Sequence, residues 1–416
     1  MARLRGGAAE RSGPAARCLA PTRRGIAISP VIETLRRLVA FDTVSANPNA
    51  ALIDWAAGRL RDCGARVEVQ SGDEPGKANL FATIGPDDRP GLMLSGHSDV
   101  VPVAGQAWSS DPFVLTERDG RLVARGAADM KGFIACVLEA APRFARAGLR
   151  TPLHVALSYN EETNMHGMRQ LAAQLATAPV RPAACIIGEP TSMQVVVANK
   201  GAAGYRVKVR GHSVHSSLRD QGVSAVEYAA EIVVFVNALQ KRLNAAARHD
   251  GFEFPHTSVH VGRIEGGTAH NITAKDCEFL LEIRALPGTR SSDVLGEIRG
   301  YCESVLLPAM RAISADAAIE FEEIFDTPAL DERGNVYLAQ AIMPLCGHAS
   351  AGRVSFGTEA GILQDIGVPT IVCGPGQIRV AHQPDEYVEI AQLDACSRFL
   401  DVLAGRLAKG ELPLGH

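Results

Sequence analysis

Four short runs of nearly uninterrupted apolar residues, LMLS at 92–95, LHVAL at 153–157, ACIIG at 184–188 and TIVCG at 370–374, constrain this chain more than any other feature. A strand written this way is buried on both faces, which happens where helices cover a parallel sheet on each side. Apolar residues at helical spacing recur from Val31, from Ala51 to Cys63, from Lys131 to Ala147, from Met168 to Leu175 and from Ala391 to Leu407. The Lys131 segment has an apolar face of Phe133, Ile134, Val137, Leu138 and Ala141. Strands alternating with helices predict an α/β layer built on a mixed, mostly parallel sheet flanked by helices.

From Ala203 to Arg210 the pattern changes to strict alternation, AGYRVKVR, the mark of a sheet with one wet face. The segments that follow read as a helix (Ser224 to Asn244), two strands (SVHVGRIEG and CEFLLEIRAL), a helix (Ser291 to Leu306) and a strand (AAIEFEEIF). That order, β-α-β-β-α-β, predicts a ferredoxin-like α+β domain. It is inserted into the larger one, with boundaries at 29–200 and 327–416 for the two parts of the catalytic domain and 201–326 for the insertion. Residues 1–28 carry six Arg, one Glu and several Gly and Pro but no apolar core of a secretory signal, and are expected to be a disordered extension.

Composition removes several function classes. With 42 basic and 46 acidic residues the formal charge is −4, so neither nucleic acid nor an anionic membrane is expected as a partner. No apolar run reaches the ~18 residues of a bilayer span. The nine cysteines show no CxxC pairing, which predicts a reducing, cytoplasmic location without a disulfide framework. The signatures GxxxxGKS/T, GxGxxG after a strand, GxSxG and HExxH are all absent.

What remains is a set of His and carboxylate residues at or just after strand ends, where open α/β sheets gather ligands. His97 and Asp99 leave the first apolar strand together, and Asp99 is expected to accept the second ring N–H of His97 and fix its tautomer. Asp129 stands before a helix, where a lone Asp is commonly an N-cap. Glu161 and Glu162 are adjacent, so their side chains diverge and one can bind a metal while the other serves as general base. Glu189 ends an apolar strand, and His382 lies in a Gly/Pro-shaped loop. Together, two His and several carboxylates suit two divalent ions about 3.5–4 Å apart, sharing a bridging carboxylate. Zinc is favoured by the imidazoles, with cobalt or manganese compatible in kind.

The stretches SGHSDVVPV, WSSDPF, GRLVARGAADMKG, YNEET, IIGEPTS, GHSVHSS, SFGTEAGILQ and CGPGQIRVAHQPDEYV, between Gly96 and Val388, together resemble the M20 family of metallopeptidases and amidohydrolases, in particular its acetylornithine deacetylase branch. The resemblance implies that His97, Asp129 and Glu189 hold one metal and that Asp129, Glu162 and His382 hold the other. It makes Glu161 the general base and then acid, and brings His215 into a partner subunit's site to stabilise the oxyanion. It assigns Arg284 to a substrate α-carboxylate; the competing reading is that Arg284, on an alternating strand, simply pairs with a neighbouring carboxylate. Asn271 is a further substrate contact, the Asp129–Met130 peptide is expected to be cis, and the inserted domain is a lid through which the chain forms a homodimer.

One stretch departs from the branch. Asp-Glu-Glu followed by Val-Gly-Cys is usual there, whereas this chain has Asn160-Glu161-Glu162-Thr163-Asn164-Met165-His166. The resemblance therefore implies a dinuclear amidohydrolase acting on a small N-acyl amino acid, with Nα-acetyl-L-ornithine leading. A succinyl-diaminopimelate desuccinylase or another N-acyl-amino-acid hydrolase, or an inactive metal-binding scaffold, are the alternatives.

Overall fold

The main sheet has eight strands in the spatial order Arg66–Ser71, Ala78–Ile84, Leu153–Ser158, Leu92–His97, Ala184–Pro190, Thr370–Gly374, Val196–Asn199 and Gly352–Val354. The computed structural model describes residues 29–414, and the extension expected at 1–28 lies outside them. The four apolar runs form the contiguous centre of this sheet, mutually parallel. The two strands beyond Leu153–Ser158 add on antiparallel. The sheet is thus mixed, with its parallel part where the sequence is most apolar.

Helices Lys131–Arg146, Pro30–Val39, Ala50–Asp62 and Ile390–Lys409 pack together against this layer, and His166–Thr177, Val336–Ile342 and Ala360–Asp365 form a second group. Phe133 explains one close approach. A Cβ on Gly188 would sit 2.0 Å from its ring, so only glycine lets helix Lys131–Arg146 lie this near the strand that carries Glu189. Phe133, Phe144 and Phe399 are almost wholly buried in this core, and burying a side chain of that size contributes roughly 1.5–3 kcal/mol.

The inserted domain has its own core, built on Tyr205, Val207, Phe279 and Ile298. Its strands stand in the order Ser258–Gly266, Asp276–Ala285, Gly201–Arg210 and Ala318–Thr327, every neighbouring pair antiparallel, which is the ferredoxin-like arrangement. The alternation in AGYRVKVR works as expected: Tyr205, Val207 and Val209 face the helices. Arg206, Lys208 and Arg210 face outward beside Glu278, Glu320 and Glu322. Such exposed pairs contribute at most ~1 kcal/mol each.

Two features differ from expectation. The helix predicted to stop at Leu306 continues to Ile313, because the backbone widens into a π turn at Cys302–Leu306 that accommodates Pro308. A three-stranded sheet of Thr116–Arg118, Arg121–Val123 and Tyr387–Glu389 was not legible, since strands of three residues are too short to show a period. That small sheet matters, because it carries the chain before Asp129 alongside the chain after His382. Among the described residues no helix is long and apolar enough to cross a membrane.

Candidate active site

The four central parallel strands all point their carboxyl ends at one place. His97 is the last residue of its strand, Glu161 and Glu162 follow Leu153–Ser158, Glu189 is the penultimate residue of Ala184–Pro190, and the loop after Thr370–Gly374 carries His382. Asp129 enters through the turn at Gly126, whose φ of +79° and whose missing Cβ, 2.7 Å from Val100 Cγ1, make glycine necessary. The Asp129–Met130 peptide is cis. Asp129 does not cap the following helix, whose N-cap is Met130 without a side-chain bond.

Asp129 faces two ways. Its Oδ1 lies 3.0 Å from His97 Nε2, and its Oδ2 lies 3.3 Å from His382 Nε2. On the first side Glu189 Oε1 is 3.6 Å from His97 Nε2, and on the second Glu162 Oε2 is 3.0 Å from His382 Nε2. Glu161 Oε2 stands 4.0 Å from His97 Nε2. Ligand atoms of His97, Asp129 and Glu162 lie within 4.8 Å of one another, as do those of His97, Glu161 and Glu189.

These groups fit divalent cations. Buried oxygens Glu162 Oε1 and Glu189 Oε1 have no hydrogen-bond partner, and an orphaned buried oxygen is costly. Burial pushes the carboxyls of Glu161 and Glu189 well up, and that of Glu162 to about 7, with neighbouring carboxylates adding to each shift. Burial also acts to raise Asp129 and to lower His97, but in both cases the mutual hydrogen bond and the surrounding charges win, so Asp129 ends low and His97 well above its usual value. His382, bonded to Asp129 and Glu162, rises to about 10. Buried carboxyls that hold their protons for want of a counter-charge would exchange them for divalent cations, which would supply the positive charge that lets them ionise.

The structure corrects the expected role of Asp99. The ring Nδ1 of His97 donates to the backbone carbonyl of Asp99 at 3.0 Å, and the Asp99 carboxylate is 3.7 Å away. That carboxylate instead accepts Ser45 Oγ at 2.5 Å and the backbone N–H groups of Glu161 and Glu162 at 3.1 and 3.3 Å. Asp99 therefore holds the Glu161–Glu162 loop, while a backbone carbonyl leaves His97 Nε2 free to bind.

Sequence reasoning missed a second support. Glu386 Oε1 accepts the backbone N–H groups of Ala128 and Asp129 at 2.9 and 3.0 Å, and its Oε2 pairs with Arg125 at 2.7 Å, both side chains 1% exposed. Glu386 lies inside the quoted HQPDEYV stretch, so its position was visible, but nothing in the sequence shows that it grips Asp129. Glu359 in SFGTEAG is also fully buried, and burial raises its carboxyl to about 7.

The hydrogen bonds and ion pairs of His215, Asn271 and Arg284 go to residues outside this cluster. His215 is exposed, bonds Ser217, and bridges to Ile272, while Asn271 accepts the N–H of Ser216 at 3.0 Å, so those two share one corner of the inserted domain. Arg284 pairs with Glu282 at 2.5 Å, the neighbouring-carboxylate arrangement. A Cβ on Gly357 would lie 4.0 Å from Arg284 Nη1, so the guanidinium also sits against the SFGTEAG segment.

The model for peptidase family M20/M25/M40 matches residues 93–406, a span that includes every residue of the cluster. Solved structures share the fold. The M20 family metallo-carboxypeptidase from Sulfolobus solfataricus superposes with a TM-score of 0.72 at 14% identity, covering 91% of this chain and 99% of its own. Aminopeptidase PepT from Bacillus cereus gives 0.68 at 18% identity, covering 91% and 98%. A dinuclear metal-binding M20 peptidase from Bacillus subtilis gives 0.62 at 15% identity, covering 91% and 98%.

Proposed function

Because the chain belongs to peptidase family M20/M25/M40, we propose that it is a dinuclear metal-dependent amidohydrolase that removes a short acyl group from the α-nitrogen of an amino acid, with Nα-acetyl-L-ornithine the leading substrate. The observation that carries the reading is Asp129, which offers one oxygen to His97 and the other to His382 with Glu161 alongside. His97, Asp129 and Glu189 would hold one ion, and Asp129, Glu162 and His382 the second. When bound, such ions polarise an acyl carbonyl and ease deprotonation of water, zinc being favoured by the imidazoles.

The chain's own residues do the rest. Glu161 takes a proton from the attacking water at its carboxylate and returns it to the departing amine nitrogen, and its burial-raised pKa suits a group that must both accept and give. Asp99 holds the Glu161 backbone in place through the N–H bond. His215 of a partner subunit donates to the developing oxyanion, which gives the exposed histidine a task and makes the working unit a homodimer through the inserted domain. Arg284 exchanges Glu282 for the substrate α-carboxylate, a bidentate match for a guanidinium.

The stretches SFGTEAG and CGPGQIRVAHQPDEYV favour acetylornithine within this class. Peptide hydrolysis is the second reading, because the solved relatives include peptidases. Primary-amine release by zinc- or cobalt-loaded protein from Nα-acetylornithine, other Nα-acetyl amino acids, N-succinyldiaminopimelate and a dipeptide separates them. Preference for acetylornithine supports the reading; preference for the dipeptide moves the chain to the peptidases. No release from any substrate would raise the inactive-scaffold reading above both.

A further inference from the structure

The inserted domain joins the main sheet through two crossings that run side by side, with Asn199 bridged to Leu330. Each crossing makes a buried contact with the surroundings of Glu161. On the outgoing side, Asn199 Oδ1 accepts Thr358 Oγ1 at 3.0 Å. The next residue, Glu359, accepts Ser158 Oγ at 2.6 Å, and Ser158 is the last strand residue before the Glu161 loop. Its carbonyl accepts both the N–H and the Oγ of Ser98, between His97 and Asp99. Asn199, Thr358, Glu359, Ser158 and Ser98 are all fully buried. On the returning side, Thr327 Oγ1 donates to Met165 Sδ at 3.2 Å, at the far end of the same loop. Arg169, just beyond, reaches the carbonyl of Asp326.

A fully buried glutamate with one oxygen, Oε2, lacking a partner is an expensive way to fill space. Met165 also belongs to the stretch where this chain leaves the Val-Gly-Cys pattern. Both observations call for a role beyond packing. We propose that the hinge of the inserted domain positions the general base: Asn199 acts through Thr358, Glu359 and Ser158 on the foot of the Glu161 loop, and Thr327 acts through Met165 on its far end. Thr358, Glu359, Met165 and Thr327 are positioning residues, and the orientation of the inserted domain is thereby read at the carboxylate that moves the proton. The inference rests on the reading of Glu161 as general base.

The test uses the full-length metal-loaded protein with T358V, S158A and T327V, and T358S as the conservative control, because the Thr358 hydroxyl also accepts the N–H of Ala360. Two readouts are taken: amide hydrogen exchange of residues 159–165, and kcat and KM on whichever panel substrate the wild type turns over. T358V is expected to speed exchange in that loop, to which its own side chain makes no hydrogen bond, and to lower kcat, each about tenfold, with KM and metal content held. T358S restores both. S158A combined with T358V falls no further than the stronger single variant, since both cut one arm, whereas T327V combined with T358V multiplies the two losses. Unchanged loop exchange in T358V and T327V, loss of metal, or multiplied losses for the S158A pair would overturn the proposal. If T358V does not fold, T327V tests the second arm alone by the same two readouts. Should the wild type turn over nothing, exchange still decides the coupling, and it is the amidohydrolase reading that fails.

Discussion

The two halves of the expected site lie in contrasting surroundings. At the carboxyl edge of the main sheet, His97, Asp129, Glu161, Glu162 and Glu189 crowd together out of solvent, and only His382 is half exposed. In the inserted domain, His215 and Asn271 stand in solvent, and Arg284 is paired with a neighbour. One region buries carboxyls that only a cation lets ionise; the other holds polar groups with little to do within one chain. The contrast teaches that the first region is completed by cations and that the second, on the proposed reading, is completed by a second copy of the chain and by substrate.

The sharpest way to break this comparison is at Glu161. Glu161→Ala is expected to lower kcat by ~10²–10⁴, the usual worth of a general base, with metal content retained. Metal analysis of the variant checks it, because loss of an ion would turn Glu161 from base into ligand, a role its approach to His97 allows.

Next in size is the buried support beneath Asp129. Arg125→Ala removes the ion-pair partner of a buried carboxyl, Glu386, and is expected to destabilise the fold by about 3–5 kcal/mol. Denaturant unfolding measures this, and a loss below about 1 kcal/mol would show that the pair is not what holds the Asp129 loop.

His215→Ala is expected to cost ~10²–10³ in kcat without changing stability, as for a lost oxyanion donor on the surface. Mixing it with Glu161→Ala sharpens the comparison. If His215 serves the partner's site, each mixed dimer contains one intact site and activity returns. If both residues serve their own chain's site, each mixed dimer contains two singly damaged sites, and mixing recovers nothing.

The smallest effect is on the pH dependence of stability without metal. Glu162 and Glu359, each pushed to about 7 by burial, hold protons in the folded state that an unfolded carboxyl releases near 4.5. Stability that is fully present below 4.5 is therefore lost as pH rises through about 7, and His382, raised to about 10, adds a loss of the same sign above its ordinary 6.5. The Tm of chelated protein should fall by roughly 5 °C between about pH 5 and about pH 8. Zinc should recover more of it at the higher pH, where its ligands are deprotonated. A Tm that rises over this range in the absence of metal would mean that these carboxyls are already ionised.

Much of this molecule was legible because its signals are local. Apolar runs and the switch to alternation at Ala203 report burial on two faces or one, and burial pattern is what a sheet layer imposes on sequence. The residues of the metal-type cluster were legible too, because each sits at a strand end or in a short loop marked by glycine and proline. What was not legible depends on partners distant in the chain. Asp99 was expected to hold His97, two residues away, yet its carboxylate turns to Ser45, Glu161 and Glu162. Glu386 grips Asp129, and Glu359 meets Ser158 across the sheet. A sequence decides which residues must be buried and in what order their elements follow. Only the tertiary structure decides which buried polar groups meet, because each must find its hydrogen-bond partner among whatever the packing brings within about 3 Å.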